Sequence, residues 1–468
     1  MKIHFWGAAQ TVTGSAHYLE VNGKILLLDC GLFQGRRADT YRINSEFRFN
    51  PAKVDGVVLS HAHIDHIGNL PNFIKQGYRG RVHTHAATAH LAEVMLADSG
   101  RIQEYDAQFV NKRRARRGEP PVEPLYTEED AVATVPFFEH QALNKPFSPI
   151  PGVQVTLVEA GHILGSTALK IEIEEKRKTH TLWFSGDIGR VNLPLIHDPV
   201  LPSGDVDTML MECTYGDRSH ESPDVARAEL ARLLRRTLER DGKVLIPAFA
   251  VGRTQELVYA IHRLMDSSDL PNVPVFVDSP LAVSVTDIFK KHPDCFDEEA
   301  RAMMSDDQHR SALGFDSLTY IRSVEESKAL NERTDPMIII AASGMMENGR
   351  ILHHLRNNIH DANSTVLIVS WMAPHTLGRR LTDGDPKVNI FGEEFDVAID
   401  VQRVRGYSAH GDREALRDYA LAVRSTLQNV YLVHGEQEGA DGLTEALTNW
   451  GMDAARIHYP ARGDTIEL

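Results

Sequence analysis

Leu59-Ser60-His61-Ala62-His63-Ile64-Asp65-His66-Ile67-Gly68 places three imidazoles and a carboxylate within six residues, directly behind the apolar run Val54-Asp55-Gly56-Val57-Val58-Leu59. A short apolar run bounded by turn residues predicts a buried strand. Open α/β sheets hold their ligands at the C-terminal ends of such strands. In extended chain, His61 and His63 project to the same side because side chains alternate. Asp65 and His66 follow where the chain turns into the helical-looking segment 69–76, so they can face a second point. A lone histidine near a strand end is ordinarily structural. Four potential ligands at i, i+2, i+4 and i+5 instead predict a metal site, with a geometry better suited to two ions than to one.

Outward from this stretch the same arrangement recurs. Ahead of it, strands are predicted at 2–6, 17–21 and 24–29, with Val21-Asn22-Gly23-Lys24 reading as a hairpin turn. The third of these ends in Asp29-Cys30-Gly31, a carboxylate at a strand tip. Alone, Asp29 could cap a turn; beside histidines it is better placed to orient a ligand imidazole. Behind the stretch, predicted strands at 153–159, 180–185 and 207–212 run into His162, Asp187 and Glu212, each beside a glycine or another small residue.

From about residue 215 the rhythm changes to strands alternating with amphipathic helices, which implies a parallel sheet with right-handed crossovers. Strands are expected at 243–247, 273–278, 337–342 and 365–371, and helices from Ser222-Pro223, over 254–265, 281–290 and 350–358. The tail brings Ser408-Ala409-His410 and His434-Gly435. The ligand set of the first 210 residues is incomplete without these histidines. The tail should therefore fold back, making the α/β segment an insertion. The expected division is 1–214 and 397–468 for the first domain and 215–396 for the inserted one.

Composition bounds the reading. The chain has 468 residues, more than one compact core usually supports. Its 50 Lys and Arg against 65 Asp and Glu give a net charge of -15, which argues against a non-specific nucleic-acid coat. Cys30, Cys213 and Cys295 form no C-x-x-C, as expected in a reducing compartment. The N-terminal residues lack a secretion signal, and no apolar run reaches the roughly 18–20 residues that span a bilayer. A soluble, cytoplasmic protein without a membrane partner is expected. One basic run, Lys112-Arg113-Arg114-Ala115-Arg116-Arg117, follows a predicted amphipathic helix over 86–110. It reads either as a solvated surface loop or as a contact for RNA phosphates.

The chemistry follows from the donor set. His61, His63 and His162 are candidate ligands of one ion, and Asp65, His66 and His434 of the other; Asp187 suits the bridge, since a carboxylate can give one oxygen to both. Imidazole and carboxylate without thiolate favour two zinc ions, with manganese or iron accepting the same set. Two cations would bring a shared water to hydroxide near neutral pH and hold a phosphodiester oxygen. Departure of the leaving alkoxide needs a proton, and His410 is the unassigned imidazole placed to supply it. Glu212 could fix the tautomer of His410 and raise its pKa. Arg253 in Gly252-Arg253-Thr254, and Arg350 in the stretch that runs from Ser343-Gly344 to Arg350, stand at predicted helix starts. Such starts bind phosphate, but ordinary βα loops place Gly and Arg there as well.

His61-Ala62-His63-Ile64-Asp65-His66, with His162, Asp187 and His434 in order and Asp29 ahead of them, resembles the signature of the metallo-β-lactamase fold. The inserted domain, Glu212, Ser408-Ala409-His410 and His434-Gly435 resemble the β-CASP branch, which includes the mRNA 3′-end cleavage endonuclease and RNase J-type nucleases. The resemblance covers essentially the whole chain. It implies an α/β architecture: an αββα metallo-β-lactamase sandwich with an inserted parallel-sheet β-CASP domain and an RNA-cleaving site in the cleft between them. It implies the metal ligands named above, His410 and Glu212 as an acid pair, and Ser408 and His410 as phosphate contacts. Single-stranded RNA is the implied partner, and a homodimer or an RNA-processing complex stays open. Endonuclease action is expected, with a 5′ exonuclease mode beside it. The other readings are a single-stranded DNA or oligonucleotide nuclease, a small-molecule hydrolase such as a lactonase, and a silent RNA-binding subunit. A lactonase would need neither the inserted domain nor Glu212 and His410, and a silent subunit should have lost ligands.

Overall fold

The computed structural model describes residues 1–35, 37–175, 178–304, 311–373 and 375–468. The chain forms two compact units. The first comprises Met1–Val191, Asp198–Ser219 and His410–Leu468, and the second Asn192–His197 and His220–Ala409.

The first unit is built on two seven-stranded sheets. One runs in the order Thr465–Glu467, Lys2–Gly7, Ala16–Val21, Lys24–Leu28, Gly56–Val58, Val82–His85, Phe138–Gln141. The other runs Ile457–His458, Asn429–Val433, Thr208–Glu212, Lys178–Phe184, Thr167–Glu175, Val153–Glu159, Phe147–Ile150. Side-chain alternation explains why the central strands Thr208–Glu212 and Asn429–Val433 of the second sheet are almost wholly apolar. Leu182 and Phe184, Leu210, Tyr431 and Val433 join Ile3, Phe5, Leu19 and Leu26 in the core between the sheets. Their neighbours Trp183, Met209, Met211, Val430 and Leu432 face the opposite way, onto Leu416 and Tyr419 and onto Leu443 and Leu447. Those last residues belong to the helices Arg413–Leu421 and Gln437–Asn449. A sheet covered on both faces reads as continuous hydrophobic runs, and the layer order is the expected αββα sandwich.

Asn22 and Gly23 both take positive φ (50° and 75°), the type I′ turn that joins Ala16–Val21 to Lys24–Leu28 with Val21 opposite Lys24. Thr167–Glu175 is a strand that an apolar-run criterion misses, because Lys170, Glu172 and Glu174 alternate with Leu169, Ile171 and Ile173. The helix starting at Ala86 extends to Ala115 rather than stopping near 110, so much of the basic run is helical and not loop. Lys, Arg and Ala are all good helix formers, and cations are favoured in a helix's last turn.

The second unit carries a six-stranded sheet in the order Leu318–Tyr320, Val275–Val277, Ile338–Ala341, Val244–Pro247, Thr365–Ile368, Asp400–Arg403. Every adjacent pair is parallel. Ile339, Val366, Ile351, Leu355 and Ile399 contribute to its core. The second compact unit runs on to Ala409. The run 397–404 does not state which sheet it joins, and Asp400–Arg403 pairs in register with Thr365–Ile368. No helix among the described residues is long and apolar enough to cross a membrane.

Candidate metal centre

Strand ends of the first unit deliver the site. Asp29 follows Lys24–Leu28 and takes the left-handed conformation (φ 58°), which turns its carboxylate back over the neighbouring strand end. There Oδ1 accepts from the Ser60 amide at 2.7 Å, while Oδ2 accepts from the Ser60 hydroxyl at 3.0 Å and the Ser15 hydroxyl at 3.1 Å. Oδ2 also lies 2.7 Å from Nδ1 of His66. A fully buried carboxylate thus tethers the histidine loop and sets His66 with Nε2 facing away from it. His63 is the extended residue before the short helix Ile64–Ile67, which carries Asp65 and His66. His162 sits in the loop between Gly161 and Gly165, both at positive φ, and Asp187 follows Gly186 at φ 54°. His434, at φ 47°, ends strand Asn429–Val433.

These turns bring two groups together. In the first, His61 Nε2 and His162 Nε2 lie 3.1 and 3.2 Å from His63 Nδ1, and each lies 3.5 Å from Asp187 Oδ2. In the second, His66 Nε2 is 3.2 Å from His434 Nε2, which is 3.4 Å from Asp65 Oδ2. The other Asp187 oxygen, Oδ1, is 3.2 Å from His66 Nε2. One carboxylate therefore shows one oxygen to each group. Within each group the donor atoms all lie within 4.8 Å of one another.

The donor atoms fit metal ions. Four ligands at about 2.0–2.1 Å from a zinc ion stand about 3.3–3.4 Å apart when tetrahedral, and the separations above fall around that value. Asp187 Oδ1 is buried without a well-oriented donor among the described residues. Burial, reinforced by the neighbouring His66, holds the His61 imidazole well below its usual pKa. Burial and His410 do the same for His162, and burial lowers His63 to about 4. Burial opposes the Asp187 charge, yet His434, His66 and His61 outweigh it and keep the carboxyl well below its ordinary value. Neutral imidazoles with free lone pairs around an ionised carboxylate are the form that binds metal. For His66, burial works against the charge, but Asp187 and Asp29 hold its pKa well above the usual range.

His410 stands beside the first group, its ring centroid 4.5 Å from that of His162. Its Nδ1 lies 3.1 Å from both Glu212 oxygens and 3.9 Å from Asp187 Oδ2. Glu212 is fully buried and also accepts from the Ile188 amide at 2.6 Å. Burial disfavours the imidazolium, but Glu212 and Asp187 more than offset it and raise His410 to about 9. The His410 side chain remains 21 % exposed, so its ring reaches the surface of the site.

Three of the expected phosphate contacts, Arg253, Ser343 and Arg350, have internal partners in the second unit. Arg253 pairs with Glu256 and lies over the Tyr407 ring at 5.5 Å. Arg350 binds buried Asp278 at 2.6 Å and the Arg322 carbonyl at 2.8 Å. The Ser343 hydroxyl accepts from the Glu347 and Asn348 amides, and a side chain on Gly344 would meet the Phe249 ring at 2.9 Å. Ser408 is half-buried in the segment after Asp400–Arg403. Sequence reasoning passes over Ser60, whose hydroxyl is 3.1 Å from His61 Nδ1, and Thr214, whose hydroxyl is 3.1 Å from His434 Nδ1. Both orient imidazoles. Thr214 stands two residues after Glu212 and Ser60 immediately before His61, but hydroxyls have no diagnostic spacing.

Comparison with known proteins agrees with this geometry. Residues 10–248 match the metallo-β-lactamase superfamily, 254–381 the β-CASP domain, and 394–460 the Zn-dependent metallo-hydrolase RNA specificity domain. The chain is 34% identical over 459 residues to Ribonuclease TTHA0252 of Thermus thermophilus, covering 98% of this chain and 99% of that protein. It is 27% identical to the transcription termination factor FttA of Methanocaldococcus jannaschii, over 93% of this chain and 67% of that protein. A crystal structure of a protein of unknown function from Enterococcus faecalis shares the fold, with a TM-score of 0.56 at 14% identity over 100% of this chain and 99% of that one. With half the chain matching one superfamily and a full-length relative at this identity, the protein belongs to the β-CASP branch of the metallo-β-lactamase superfamily, a family of metal-dependent hydrolases.

Proposed function

We propose that the chain is a zinc-dependent ribonuclease that hydrolyses phosphodiester bonds of single-stranded RNA, mainly as an endonuclease. The observation that carries this reading is Asp187, one oxygen toward His61, His63 and His162 and the other toward His66, with Asp65 and His434 beside it. These seven residues would hold two divalent ions. Nitrogen and oxygen donors without thiolate favour zinc, with manganese or iron as substitutes. The ions supply Lewis acidity at the scissile phosphate and a nucleophile available near neutral pH.

The remaining residues act on orientation and on the proton. Asp29 keeps the Nδ1 proton of His66, so that Nε2 presents its lone pair. Glu212 holds His410 through Nδ1, and its charge favours the imidazolium. His410 then delivers that proton to the leaving oxygen from the opposite edge of its ring. Ser408, with Arg253, Ser343, Gly344 and Arg350, stays assigned to substrate contact. RNA as substrate is supported by the relative named a ribonuclease and by the match to an RNA specificity domain. Three buried free thiols support a reducing, cytoplasmic setting.

The test is a product map on circular RNA and on linear RNAs with 5′-phosphate or 5′-hydroxyl ends, with and without a chelator. Chelator-sensitive opening of circles is expected. Intact circles with stepwise release of mononucleotides would replace the endonuclease by a 5′ exonuclease. Cleavage confined to single-stranded DNA, or RNA binding without cleavage, would overturn the substrate or the catalytic reading.

A further inference from the structure

The helix Ala86–Ala115 has two halves of different character. Ala87, Leu91, Ala92 and Leu96 are fully buried, and Gly100 packs so closely on the Thr127 and Glu128 backbone that a Cβ would lie 2.7 Å from it. Beyond Gly100 no helical residue is fully buried. About 22 Å of helix, at 1.5 Å per residue, therefore leaves the core. One side is propped by the returning chain: the Asn111 side chain exchanges two hydrogen bonds with the Val122 backbone, and Arg114 turns to Glu119 at 3.1 Å. The other side is open and carries Ile102 (43 % exposed), Tyr105 (71 %) and Phe109 (46 %).

Tyr105, Phe109, Lys112 and Arg116 follow one another at i, i+4, i+7 and i+11, a single helical stripe. Arg113 flanks it, with its guanidinium 4.7 Å from the Phe109 ring centroid. Among the described residues, Lys112, Arg113, Arg116 and Arg117 have no carboxylate partner. Rings followed by unpaired cations on one face of an otherwise acidic chain match a polymer with flat faces and a phosphate backbone. A second copy of this chain is a poor fit, because a two-fold contact would set the same cations against each other.

We propose that this stripe is a docking arm for single-stranded RNA. Bases stack on Tyr105 and Phe109, and Lys112, Arg113, Arg116 and Arg117 meet the phosphates. The inference rests on the ribonuclease reading and adds to it a binding surface outside the metal centre.

The experiment uses the full chain with metal bound and a fluorescent 20-nucleotide RNA, in a His410→Ala background for binding and in wild type for turnover. Stacking contributes roughly 5- to 150-fold per base, so Tyr105→Ala with Phe109→Ala should weaken RNA binding at least 10-fold. The salt dependence of binding should stay as it was. Replacing Lys112, Arg113, Arg116 and Arg117 by Ala should instead flatten the slope of log K against log salt by about 2–3, at about 0.7 per phosphate contact of a single strand. Both variants should hydrolyse bis(p-nitrophenyl) phosphate at the wild-type rate, which shows an intact metal centre. Wild-type RNA affinity in the aromatic variant overturns the arm. So does a change of oligomeric state, with RNA affinity unchanged, in either variant. Wild-type protein that neither binds nor cuts RNA at low salt, yet hydrolyses the small diester, overturns the ribonuclease reading itself.

Discussion

Replacing His410 by Ala tests proton delivery directly. Its Nδ1 is engaged by Glu212 at 3.1 Å, which leaves the Nε2 edge of a partly exposed ring as the donor. A positioned general acid contributes roughly 10²–10⁴-fold, or about 3–5 kcal/mol of barrier at about 1.36 kcal/mol per tenfold. That contribution exists only where the leaving oxygen needs a proton. An RNA alkoxide does, whereas p-nitrophenolate departs as the anion. His410→Ala should therefore lose roughly 10²–10⁴-fold in kcat on RNA while hydrolysing bis(p-nitrophenyl) phosphate at nearly the wild-type rate. Glu212→Gln is the milder change: its Oε1 still accepts from the Ile188 amide at 2.6 Å, but the charge facing His410 is gone. A hydrogen bond to a charged group is worth about 1.5–3 kcal/mol, so about 10- to 150-fold on RNA is expected. Because both residues act on one proton, the double variant should be no slower than His410→Ala. The assay compares kcat on the two substrates, with metal content measured on each protein. Equal losses on both substrates at full metal content would refute the argument, as would RNA cleavage by His410→Ala at the wild-type rate.

Asp187→Ala removes the oxygen shared by both groups, so elemental analysis should find fewer than two ions per chain and cleavage should vanish; two retained ions would exclude the bridge. Asp29→Asn leaves the His66 Nδ1 proton without its carboxylate and should weaken metal affinity by about 10- to 100-fold, read by competition with a chelator; unchanged affinity would deny Asp29 its orienting role. In the second unit, burial penalises the Asp278 charge, but hydrogen bonds from His354, Ser327 and Arg350 outweigh it and lower its pKa. A depressed folded-state pKa contributes stability above the unfolded carboxyl's value of about 3.9 and loses it as pH falls through the folded value. Asp278→Asn should thus cost about 3–5 kcal/mol at pH 7. The gap between the wild-type and variant melting temperatures should narrow below about pH 4, and a gap independent of pH would exclude the electrostatic origin.

Much of the candidate metal centre can be read along the chain because its densest part is local. His61, His63, Asp65 and His66 lie in one strand-to-helix turn, where alternation and the bend fix the direction of each side chain. The Asn22-Gly23 hairpin is legible for the same reason, since its turn geometry resides in two residues. Local pattern fails where a residue's partner is remote. Nothing around Arg350 in the sequence announces that buried Asp278, 72 residues away, binds its guanidinium at 2.6 Å. Likewise nothing in the run 397–404 says which sheet it joins, and only the pairing of Asp400–Arg403 with Thr365–Ile368 assigns it to the second unit.

The chain alone determined which donor types are present, that they stand at strand ends, and that an α/β segment interrupts the first domain. Tertiary structure decided which donors meet. Parallel register sets Val433 beside Glu212, so that His434 arrives next to His66 and Asp65 from 368 residues away. The left-handed turn at Gly186 then sets Asp187 between the two groups. Sequence spacing specifies directions over a few residues because the backbone has few local conformations. Contacts between remote strand ends depend on how two buried sheets pack, and that is a property of the whole core.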